Sequence, residues 1–186
     1  MVVEAHLASA RTRHLLGLGC HTAVSAGARG RNIDPHDLRA FGGGRSRMMT
    51  PHQVWLVQTS FAAIAPRAES VVAPFYERLF ALDPVLRPLF PAEMAGQRRK
   101  LAAALAAAVK GLGRPEGLRP VLEALGRRHA GYGVRDADYD TVGAALLGAL
   151  EDVLGEAFDD ELRTAWAACY ALVAGTMRGA GRAVAA

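Results

Sequence analysis

Leu118-Arg119-Pro120-Val121-Leu122-Glu123-Ala124-Leu125-Gly126-Arg127-Arg128-His129 carries the deciding pattern of this chain. Leu118, Leu122, Leu125 and His129 are spaced 4, 3 and 4 residues apart, which puts all four on one helical face. A histidine thus extends an otherwise apolar stripe. Burying an imidazole without a partner is costly, so the stripe requires an acceptor, a water or a metal beside His129.

The same helical period continues in both directions. Thr50-Pro51-His52-Gln53 reads as a helix start: a hydroxyl at the N-cap, proline at the first helical position, and Gln three residues after the cap. Val54, Val57, Phe61 and Ile64 then mark one face. A second helix is expected over about 67–80, with Val71, Phe75 and Leu79 inward and Tyr76 among them. Asp83-Pro84 opens a short turn that closes at Phe90-Pro91. A third helix is expected over about 94–112, striped by Leu101, Leu105, Ala108 and Leu112 and stopped by Gly111 to Pro115. The His129 helix then runs from about 118 to the Gly131/Gly133 region. Two long helices follow, about 136–154 and 158–178, parted by Gly155. No alternating strand pattern interrupts them. The expectation is an all-α architecture of six or seven helices with short joints.

Composition narrows the function classes. A chain of 186 residues, about half apolar, can bury one sizeable core. With only Cys20 and Cys169 there is no disulfide framework, and a reducing, cytoplasmic setting is expected. No apolar run reaches the roughly 18 residues that span a bilayer. The net charge of +4 is unevenly placed. Residues 1–48 hold seven arginines against three acids, whereas 49–186 hold 15 basic and 15 acidic groups. The folded part therefore lacks a nucleic-acid footprint. Residues 1–48 are also rich in Gly and Ser and hold four of the six histidines. They are expected to be a disordered tail or a mistaken extension, with Met49 as the true start and 49–186 as the folded domain.

Two further inward polar groups accompany His129. Gln97 lies four residues before Leu101 and shares its face. A buried amide, like an imidazole, needs partners. Tyr76 brings a phenol into the core of the second helix, and Phe90 places a flat ring before the third. Read alone, each could be ordinary core or, for Gln97, solvent-facing. Together they describe a pocket with one strong metal donor and two hydrogen-bond donors.

Several segments resemble bacterial single-domain haemoglobins and the globin domain of flavohaemoglobins. They are Pro74-Phe75-Tyr76-Glu77-Arg78-Leu79-Phe80 with Asp83-Pro84 and Phe90, Gln97-Arg98-Arg99-Lys100-Leu101, and His129-Ala130-Gly131-Tyr132-Gly133-Val134. Tyr139-Asp140-Thr141-Val142-Gly143, Ala165-Trp166 and Cys169-Tyr170 complete the set. The likeness spans about 50–180 and implies a globin fold around haem b. It implies that His129 is the axial ligand of the iron. Tyr76 and Gln97 would face the bound gas, and Phe90, Leu101, Val134 and Tyr139 would contact the haem. A phenol donor aimed at a ligand that takes on anionic character gains a charge-assisted bond of about 1.5–3 kcal/mol, or about 10–150-fold in affinity. O₂ gains more from such a donor than CO does.

One departure bears on function. Tyr139 fits a family tyrosine that backs the histidine, but counting on from Tyr170, a family glutamate falls at Gly181. The resemblance therefore implies reversible O₂ binding, for storage, delivery or scavenging. Nitric oxide dioxygenation is the alternative. No flavin or nicotinamide region follows within the 186 residues, so turnover is expected to need a separate reductase. A gas sensor or a haem-free interaction module is a third reading. CO and NO are further expected ligands, and a monomer or a homodimer is compatible with the likeness.

Overall fold

Thr50 starts the first helix through a reciprocal cap. Its Oγ1 accepts from Gln53 N at 3.1 Å while its own N donates to Gln53 Oε1 at 3.0 Å. Two otherwise unsatisfied donors are thereby paired, and Pro51 follows at the first helical position. Thr50→Ala is expected to cost about 1 kcal/mol, read as a lowered midpoint of urea denaturation. The computed structural model describes residues 48–185, so the expectations for the N-terminal segment before Met48 lie outside the described residues.

Six α-helices follow among the described residues, and no strand. They are α1 (Pro51–Ile64), α2 (Glu69–Leu82), α3 (Ala95–Gly111), α4 (Pro115–Gly131), α5 (Asp136–Leu154) and α6 (Asp160–Ala185). Short 3₁₀ turns at Ala65–Arg67, Pro84–Leu89 and Gly155–Ala157 join them. Among the described residues no helix is long and apolar enough to cross a membrane.

Each expected helix is present, and several have shifted ends. α4 begins at Pro115 rather than near 118, because Pro115 takes the first helical position instead of sitting in the joint. Gly133 ends the region at φ 71°, and Val134 N reaches back to the carbonyl of His129 at 3.2 Å. The last helix runs on to Ala185 instead of stopping near 178. Arg178 and Arg182 pair with Asp140 and Asp136 of α5, and these ion pairs hold the added turns against the helix-weakening glycines.

Two helix pairs make the core. α4 lies along α6, and α2 along α5, while α1 also rests on α6. Trp166 of α6 is fully buried, and its Nε1 donates to Ser60 Oγ of α1 at 3.1 Å. Leu79 of α2 and Leu147 and Leu150 of α5 are buried between the second pair. Each such side chain contributes about 1.5–3 kcal/mol of transfer free energy. Arg78 crosses this pair over Gly148 and binds Asp152 with both arms, at 2.8 and 2.6 Å. The helices that carry Tyr76 and His129, α2 and α4, barely touch each other.

Candidate functional site

His129 is half-buried near the end of α4. Its Nδ1 lies 2.9 Å from the carbonyl oxygen of Leu125, one turn earlier. A carbonyl only accepts, so Nδ1 carries the proton and Nε2 keeps a free lone pair. Burial pushes the imidazole below its ordinary pKa, opposed by the Leu125 bond and reinforced by the charge of Arg128. The ring is thus neutral and orientated, which a metal-ligating histidine requires.

Tyr76, Phe90 and Gln97 form a second group. Tyr76 is buried, and its ring packs edge-on to Phe90 at 5.6 Å and to Phe75 at 4.9 Å. Burial pushes its phenol above the ordinary value, partly offset by a hydrogen bond with Gln97 and by the charge of Arg98. The hydroxyl therefore keeps its proton and remains a donor. Gln97 is half-buried at the start of α3 rather than turned to solvent.

Tyr139 stands with the histidine, not with the tyrosine–glutamine pair. Its ring lies 6.4 Å from the imidazole, and that of Tyr132 lies 6.1 Å from it. The Arg178 guanidinium sits 5.2 Å over the Tyr139 ring, and Tyr170 Oη donates to the Tyr139 carbonyl. Gly181, where the resemblance led to a missing glutamate, meets α4. A Cβ there would touch Ala130 Cβ at 3.4 Å. Leu101 and Val134 are half-buried apolar positions against the core.

Three contributors escape the sequence reading. Phe80 stacks on Tyr76 at 5.9 Å and meets Phe90 at 5.4 Å. It lies four residues after Tyr76, so helical spacing was enough to find it. Arg98 acts on the Tyr76 phenol through its charge. The Leu125 carbonyl has no side-chain signature at all.

No group of three His, Cys, Asp or Glu among the described residues could hold a bare metal ion. One neutral imidazole on an apolar wall cannot complete a coordination shell. Its donor set fits a metal that brings equatorial ligands of its own, held in an apolar slot. The half-buried rings of Phe80 and Phe90, with Leu101, Leu105 and Val134, provide apolar surface for such a slot.

A family model described as globin matches residues 73–177. The chain belongs to the globin family. Among curated relatives, a flavohemoprotein from Bordetella parapertussis is 37% identical over 140 residues, covering 74% of this chain and 35% of its own length. The chain thus spans about a third of the length of the curated relatives it matches. Among solved structures, an engineered carbene transferase derived from a candidate nitric oxide dioxygenase of Rhodothermus marinus is 27% identical, with a TM-score of 0.67 over 74% of this chain and 96% of that one. A bacterial globin from Campylobacter jejuni shares the fold at 24% identity and a TM-score of 0.66, over 73% and 99% of the two chains. The all-α globin fold read from the helical stripes is the fold observed.

Proposed function

We propose that this globin binds haem b through His129 Nε2 and uses it to bind O₂ reversibly. One observation carries the reading: Leu125 engages Nδ1, and among the described residues Nε2 has no partner. Bound there, haem would supply an iron centre able to take a diatomic gas. Everything else is the work of this chain. The Leu125 carbonyl holds the imidazole plane and tautomer. Phe90, Leu101 and Val134 exclude water from the slot, and Tyr139 backs the ligand side. Tyr76 keeps its proton and offers it to the bound gas, while Gln97 holds the phenol in place.

An absorption spectrum of haem-loaded protein in ferric, ferrous, oxygenated and carbonyl states tests this reading. A stoichiometric Soret band that moves on adding O₂ and CO is expected, and a folded protein that takes up no haem would overturn it. Tyr76→Phe removes only the hydroxyl. It is expected to speed O₂ dissociation by about tenfold or more, the equivalent of a hydrogen bond of about 1.5 kcal/mol. An unchanged off-rate in stopped-flow mixing would remove Tyr76 from the mechanism.

The relatives supply a second reading. Flavohemoproteins and a candidate nitric oxide dioxygenase match this chain, so oxidation of NO to nitrate with electrons supplied in trans is the alternative. A single conversion does not separate the two, because a stabilised oxygenated state serves both. Sustained NO consumption with a cellular reductase would favour the enzyme, and its absence the carrier.

A further inference from the structure

A cavity of about 210 Å³ opens between the first turns of α2 and α3, lined by Glu69, Ala73, Ala95, Arg98 and Arg99. The Nε–H of Arg98 is buried and has no hydrogen-bond partner among the described residues. Neither Arg98 nor Arg99 forms an ion pair among the described residues, although Glu69 lines the same cavity. A buried guanidinium N–H without an acceptor is costly, and a lining with two unpaired cations attracts a compensating charge. The start of α3 adds to this field. Met94 provides no side-chain cap, and of the first amides Ala95 N is taken by Glu93 Oε1 at 2.9 Å.

We propose that this cavity is a binding site for a small monovalent oxyanion of the nitrate and nitrite class, held by Arg98 and Arg99. The planar guanidinium fork matches two oxygens of a planar oxyanion, which a point charge would not. The carboxylate of Glu69, which lines the cavity, disfavours multiply charged anions.

The test is a sodium nitrate titration of the full chain at constant ionic strength. The arginine Nε–H signals are followed by ¹⁵N NMR in the diamagnetic ferrous carbonyl form. One arginine signal is expected to shift and saturate, and the saturation is expected to vanish in Arg98→Gln. Arg119→Gln on α4 serves as the control and leaves it in place. A linear, unsaturable shift, or saturation that survives both Arg98→Gln and the exposed Arg99→Gln, overturns the site. Should Arg98→Gln fail to fold, Arg99→Gln alone decides, with at least a threefold weaker midpoint expected. The NMR readout also works on protein that carries no haem, so failure of the haem reading and failure of the anion site show separately.

Discussion

His129→Ala is expected to abolish stoichiometric haem retention while leaving the helical content intact. The side chain is half-buried, and its polar bond runs to Leu125 within its own helix. Removing it therefore strips no other helix of a hydrogen-bond partner. α4 stays anchored by buried Leu118 and Leu122 and by its contact along α6. The loss should appear as a missing Soret band with unchanged far-ultraviolet circular dichroism. His129→Gly with added imidazole sharpens the test. A free imidazole can occupy the vacated space and restore the band, whereas a structural histidine would show no such rescue. Retention of wild-type spectra by His129→Ala would place the iron on some other group and remove the central claim.

The parts of this fold readable in the sequence are those set by local period and local chemistry. The Thr50 cap needs only three residues of context, and α5 occupies 136–154 as its stripe implied. Tyr76, Gln97 and His129 were findable because each puts a polar group on an apolar face. What escaped was set by distant neighbours. Gly175, Gly179 and Gly181 weaken the end of α6 by propensity, yet Arg178 and Arg182 bind Asp140 and Asp136 about forty residues earlier and keep it helical. Arg98 read as one of three consecutive cations at the start of a helix. Only the packing of α2 on α3 shows that its Nε is buried and its charge falls on Tyr76. Gly181 shows the same lesson from the family side. The resemblance marks it as a missing carboxylate, but its place against Ala130 makes it part of a helix contact.

Gly126→Val is expected to destabilise the protein by about 3 kcal/mol and to loosen haem retention with it. Gly126 lies one turn before His129, where α4 comes closest to α6. A Cβ at Gly126 would stand 2.2 Å from the carbonyl oxygen of Met177 and 2.6 Å from its Cα. Both are backbone atoms, so no side-chain rotation can make room. The helices must separate, and overpacking of this kind costs about 1–3 kcal/mol, with backbone clashes at the upper end. Separation also moves His129, because the imidazole is fixed to the α4 backbone through Leu125. Gly175 on the same α6 supplies the opposite control. Nothing lies within 4 Å of its would-be Cβ. Gly175→Ala should therefore stabilise by about 0.5–1 kcal/mol through helix propensity alone. Chemical denaturation of the two variants should move the midpoint in opposite directions, with only Gly126→Val accelerating haem transfer to an acceptor protein. If Gly126→Val matched wild type in both, the close α4–α6 crossing would be wrong, and with it the account of how the fold holds His129 in position.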